Sequence, residues 1–194
     1  MASNRGSGPV PTAPIPQLQS SRPVFSNPWL DLREDVLLWP GASRRAYGIV
    51  TVKPGVTVLA LDEPTDMVWC VWQYRPAIGR VSLELVGGGI EDGESPLDAA
   101  QRELAEEVGV AAGRWDSLGE LHTGATAIVD SQAHVFLARD LKAVARGGDD
   151  VHEIAAQALP RDEVFRRATQ GEITHAASVC ALLKARLLLE GESL

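Results

Sequence analysis

The chain has 194 residues, 45% of them hydrophobic and 23% charged, with a net charge of −8 at pH 7. That length is enough for one domain with a substantial core, and the negative balance excludes a binder of nucleic acid or of an anionic membrane surface. There is no 18-residue apolar run to span a membrane, and the two cysteines, Cys70 and Cys180, sit in apolar runs as core thiols, as expected of a cytoplasmic protein with no disulfide framework.

Residues 1–23, "MASNRGSGPVPTAPIPQLQSSRP", are rich in Pro, Ser and Gly and lack the apolar stretch of a signal peptide. They read as a disordered tail ahead of a single domain over 24–194. "LREDVLLWP" and "AYGIVTV" read as extra strands near the N-terminus. "VTVLALD" and "MVWCVWQYR" follow as strands rich in β-formers, separated by the turn "EPTD". "VSLELV" is strand-like and runs into Gly87-Gly88-Gly89. A helix is predicted next: Ser95 caps it, Pro96 takes its first position, Asp98 stands at the capping-box site and Gly109 ends it. Leu97, Ala100, Leu104 and Val108 recur at helical spacing and form its apolar stripe. "WDSLGELHTG" and "QAHVFLARDL" read as two more strands, and "RDEVFRRATQG" and "HAASVCALLKARLLLEG" as two helices ending in glycine. Strands followed and flanked by helices make an α/β layer architecture.

The helix poses an electrostatic problem. At about 100° per residue, Glu103, Glu106 and Glu107 fall on one arc, opposite the apolar stripe. Glu103 and Glu107 are a like-charged i,i+4 pair costing about 0.2–0.5 kcal/mol, near the negative end of the helix dipole. Arg102 is placed to pair with Glu106 and relieves only part of this. A divalent cation would supply the missing charge. Carboxylates without Cys or His nearby suit Mg²⁺ or Mn²⁺ rather than Zn²⁺. The three glycines let the backbone approach a ligand closely, and such a loop can offer a carbonyl to a metal or N–H groups to phosphate.

Gly88, Glu94, Arg102, Glu103, Leu104, Glu106, Glu107, Gly109 and Val110 fill every fixed position of G-x5-E-x7-R-E-U-x-E-E-x-G-U, with U a bulky aliphatic residue. The stretch thus resembles the Nudix box. The resemblance implies a Nudix-type α/β/α sandwich with a mixed central sheet. It also implies Mg²⁺ or Mn²⁺ held by Glu103, Glu106 and Glu107 with the carbonyl of Gly87, and structural roles for Gly88, Glu94, Arg102 and Gly109, Arg102 pairing with Glu94. From Asn27 to Leu189 the chain is similar, more loosely, to bacterial ADP-ribose pyrophosphatases. That implies hydrolysis of the diphosphate of a nucleoside diphosphate sugar, ADP-ribose first, by a homodimer. By the same resemblance Arg75 and Glu84 contact the nucleotide sugar. A loop acid supplies the catalytic base, and Asp150 and Glu153 in "GGDDVHEI" are placed for it, with Glu106 of the box the remaining candidate. His122, at a strand end, is a further candidate for substrate contact. The proline that such enzymes carry beyond the box is absent before Pro160, which keeps a GDP-mannose or other GDP-sugar hydrolase as the alternative. A non-catalytic Nudix-fold sensor is the rival from another class.

Overall fold

The computed structural model describes residues 13–147 and 154–191. They form β1 (Gln17–Ser26), β2 (Leu30–Trp39), β3 (Ser43–Val52), β4 (Gly55–Asp62), β5 (Met67–Arg75), β6 (Arg80–Leu85), α1 (Pro96–Val108), β7 (Val110–His122), β8 (Val129–Asp130), β9 (Gln132–Ala143), β10 (Ile154–Pro160), α2 (Arg161–Thr169) and α3 (Ala176–Leu189). β1, β2, β3 and β8 make a smaller sheet. The larger one has the order β10-β5-β4-β9-β7, with β6 paired to β5. It is mixed, because β4 and β9 run parallel while the other pairs are antiparallel. No helix among the described residues is long and apolar enough to cross a membrane.

Alternation along β4 sorts the core into two layers. Val56, Val58 and Ala60 face one side, where Ala99, Ala100, Leu104 and Val108 of α1 cover them. Leu59 and Leu61 face the other, under Val164 of α2 and Ala181, Leu182 and Ala185 of α3. A strand buried on both faces reads as a near-continuous apolar run, hence "VTVLAL", in which Thr57 is the one polar residue. The expected α/β/α sandwich with extra N-terminal strands is the fold observed. Leu97 of the predicted helix stripe stays exposed, and Ala99 takes its place in the core.

One topological detail positions the glycines. β5 gives one edge to β10 along Met67–Gln73. Its other edge is divided between β4 and β6. The chain leaving β6 therefore runs on beside β4, where Val58 N–H donates to Val86 O at 2.8 Å and Val56 N–H to Gly88 O at 2.9 Å. The glycine run is thus wedged into the middle of the sheet.

The tail needs correcting. Residues 17–23 belong to β1, which pairs antiparallel with β2 from Gln17↔Leu38 to Ser26↔Asp31. Residues 1–12 lie outside the described residues. β1 is exposed along its whole length, so it has no apolar alternation to betray it. Backbone pairing holds it, together with Ser21 Oγ donating to Asp35 Oδ1 at 2.6 Å and an Arg22–Glu34 ion pair at 2.9 Å. Pro23, which has no N–H to donate, stands where the register shifts, a position an edge strand tolerates.

Candidate active site

α1 begins as its sequence predicts. Ser95 Oγ accepts the Asp98 N–H, Pro96 opens the helix, and Gly109 closes it at φ 69°, in the left-handed region. Ala99, Ala100, Leu104 and Val108, packed on Val56, Val58 and Ala60, fix the rotation of the helix on the sheet. That rotation turns Glu103 and Glu107 inward toward the glycine run, while Glu106 stays partly exposed. Glu107 is only 6% exposed, and its Oε2 accepts the Gly87 N–H at 3.0 Å.

The glycines are needed for space. A Cβ on Gly87 would overlap the Val56 carbonyl, and one on Gly88 would overlap the Glu103 carboxylate. Val86 and Gly88 direct their carbonyls to β4. In an extended chain the N–H and C=O of one residue point to the same edge, so the Gly87 carbonyl, like its N–H, points away from β4.

Arg102 organises the acids. Its Nε and Nη2 donate to the two oxygens of Glu94 at 2.9 and 3.0 Å, its Nη1 to Glu103 at 2.8 Å and Glu106 at 3.2 Å, and its Nη2 to Gly89 O at 2.8 Å. The Arg102–Glu94 pair expected from the resemblance is present, and the Arg102 bonds hold the Glu94 carboxyl below its ordinary value. Glu103 and Glu107 go the other way. Burial raises both, Glu107 to about 8, with Glu103 adding repulsion and Arg75 and the Gly87 N–H offsetting part of it. Two buried carboxylates that resist ionisation, with only oxygen donors around them, fit a hard divalent cation. Among the described residues no three such side chains already form a closed cage. Mg²⁺ does not demand one, since it keeps several waters and takes one or two carboxylates plus substrate phosphates.

Residues 51–182 match the model of the NUDIX domain. The chain belongs to the Nudix family. It is 32% identical over 176 residues to an ADP-ribose pyrophosphatase of Mycobacterium tuberculosis, covering 89% of this chain and 84% of that one. It is 36% identical over 118 residues to an ADP-ribose pyrophosphatase of Bacillus subtilis, covering 61% and 63%. The crystal structure of an ADP compounds hydrolase superposes with a TM-score of 0.81 at 24% identity, over 92% of this chain and 96% of that one; this likeness establishes the fold. With every fixed position of the box filled, the protein is a Nudix pyrophosphohydrolase.

The other expected site residues fall into place unevenly around the Nudix box. Arg75, half-buried at the end of β5, donates through Nε and Nη2 to Glu84 at 3.1 and 2.7 Å. Glu84 is 2% exposed. Both of its oxygens are engaged by Arg75. His122 is exposed at the end of β7 and lines a cavity of about 340 Å³ with Arg33, Ile49 and residues 126–130. Asp150 and Glu153 lie outside the described residues. The ends of their segment are held at the box, because Arg146 donates to Glu106 O at 3.2 Å and to Ile154 O at 2.9 Å. Nothing in the sequence marks Arg146 for that task. Nor does it mark His175, which meets Glu84 from the start of α3, or Ser178, which bonds His175 and Leu85. A histidine where a helix cap is usually Ser, Thr, Asp or Asn was the available signal.

Proposed function

We propose that this Nudix pyrophosphohydrolase cleaves the diphosphate of a nucleoside diphosphate sugar, ADP-ribose first, to AMP and ribose 5-phosphate with Mg²⁺ or Mn²⁺. The observation that carries this is the clustering of Glu103, Glu107 and the Gly87 backbone in the sheet centre, with Arg75 close enough to act on Glu107. The ADP-ribose pyrophosphatase relatives support the choice of substrate.

Glu103, Glu106, Glu107 and the Gly87 carbonyl would hold the cation. Bound there, it supplies charge to the diphosphate and acidity to the attacking water. Arg102 keeps the box carboxylates from splaying apart. Arg75 spends two of its nitrogens on Glu84, and Nη1, which has no protein partner among the described residues, grips a phosphate oxygen. Asp150 or Glu153 accepts the proton of the water, and Arg146, just before their segment, is bonded to Glu106 O at the end of α1. His122 belongs to the far end of the substrate. Leu121, Ala133, Gly55 and Gly89 are register neighbours, so three strand spacings of about 4.8 Å separate the His122 end of β7 from the glycine run, roughly 14 Å, a span that an extended nucleoside diphosphate sugar covers.

Initial rates on ADP-ribose, GDP-mannose, NADH and dinucleoside polyphosphates, each with Mg²⁺, with Mn²⁺ and with excess chelator, test the proposal. The highest kcat/KM is expected on ADP-ribose, with no turnover in chelator. A preference for GDP-mannose moves the assignment to GDP-sugars. Binding without turnover of any member makes the protein a sensor.

A further inference from the structure

The polar cluster behind Arg75 joins three elements. Glu84, on β6, holds Arg75 of β5 by two bonds. His175 caps α3 by position only, its side chain making no bond to the helix backbone. The ring is turned to Ser178 instead, with Nδ1 2.9 Å from Ser178 Oγ and 3.5 Å from Glu84 Oε2. Ser178 is fully buried, and its Oγ accepts the Leu85 N–H at 3.0 Å. Thr174, the residue before His175, accepts from Arg80 at 3.0 Å. The start of α3 is therefore fastened along β6, the strand that leads into the glycine run.

The two oxygens beside Nδ1 favour a proton on that ring nitrogen. A bare Nδ1 lone pair facing the Glu84 carboxylate would be repelled, whereas Nδ1–H lies between two acceptors, Ser178 Oγ and Glu84 Oε2. Burial lowers the His175 value and so favours the neutral ring, with Glu84 opposing that effect and Arg75 adding to it. Glu84 also sits at the positive end of the α3 dipole. Its carboxylate is thus oriented from both sides, by Arg75 in front and by His175 and the helix start behind.

We propose that His175 is a positioning residue for the reaction: through Glu84 it fixes the Arg75 guanidinium beside the box glutamates, in the orientation that receives the diphosphate. The inference rests on the functional reading above, in which Arg75 contacts substrate. The group His175 positions serves binding more than bond breaking, so its loss is read in KM.

Steady-state kinetics and thermal melts on wild type, His175→Ala, His175→Asn, His175→Gln, Arg75→Ala and the Arg75→Ala/His175→Ala double variant test it. The Asn amide N–H reproduces the place of Nδ1–H, and the longer Gln amide reproduces that of Nε2. His175→Ala is expected to raise KM about tenfold, a factor typical of one lost hydrogen bond, with kcat within about threefold. Asn brings KM back to within about threefold of wild type, and Gln does not. The double variant matches Arg75→Ala alone, since a residue acting through Arg75 adds nothing once Arg75 is gone. If His175→Ala melts too early to assay, the Asn–Gln pair decides. An active wild type with unchanged KM in His175→Ala, equal behaviour of Asn and Gln, or additive effects with Arg75→Ala overturns this inference alone. A wild type that hydrolyses no member of the substrate panel overturns the functional reading, and this inference with it.

Discussion

Glu107 is the residue on which burial and chemistry conflict. A cation needs it ionised, while its surroundings raise its carboxyl from 4.5 to about 8, by desolvation first. Between those values the folded protein keeps a proton that the unfolded chain has released. The stability due to this group is therefore complete below the lower value and is lost as pH rises through the upper one. Glu107→Gln keeps the shape and removes the titration. In chelator, the melting temperature of wild type is expected to fall relative to Glu107→Gln between about pH 5 and pH 8. The scale is about 2–4 °C per kcal/mol for a domain of this size. Mg²⁺ added at the upper pH raises the wild-type value and leaves the variant where it was. Two melting curves that run parallel across the range, with and without Mg²⁺, would show that Glu107 neither titrates nor binds. Turnover of Glu107→Gln is expected to drop at least about 100-fold, the upper end of what even an outer-shell partner of a metal contributes.

At the scale of elements, the helix and the loop beside it respond differently to damage. Leu104 is fully buried under β4, so Leu104→Ala costs about 2–5 kcal/mol and should lower the chemical-denaturation midpoint while kcat of the folded fraction changes little. Gly88→Ala does the opposite. The loop is pinned to Val56, so the new methyl must displace the Glu103 carboxylate, and kcat should fall about 10–100-fold with the denaturation midpoint nearly kept. If the two variants lose activity and stability in the same proportion, site and helix packing are not separable in this way. These elements were legible because their constraints are local: the glycines, the cap at Ser95, the stop at Gly109 and the repelling acids all fall within 23 consecutive residues. β1 was not, because a strand that buries nothing carries no apolar pattern. β10 was not, because "IAAQALP" is mostly small residues without strand character. The Arg75–Glu84–His175–Ser178 cluster draws on β5, β6 and α3, and no spacing rule links positions so far apart. Charge repulsion pointed to the acids, but only the packed helix shows that Glu107 is buried.

For the whole molecule, the smaller sheet raises the question of assembly. Leu18, Val24 and Phe25 of β1 are exposed, as is Trp29, at 71%, and exposed apolar groups gathered on one element mark an interaction surface. We propose a homodimer that covers them. Light scattering at micromolar concentration should give twice the chain mass, and Phe25→Glu should shift it to monomer; a monomeric wild type rules the dimer out. Removing residues 1–12 should leave folding and turnover intact, whereas a cut at Val24 takes most of β1 and should abolish the dimer. The wedging of the glycine run into the sheet has a last consequence, for how the protein ages. Gly88 and the preceding Val86 are bonded to Val56 and Val58, two core residues, so the amides of those two residues should exchange with deuterated solvent only when the entire domain opens. The catalytic floor then has no private route to disorder. Heat should extinguish turnover and the near-ultraviolet signal of the core in one step, and an enzyme molecule that is still folded should be one that still works.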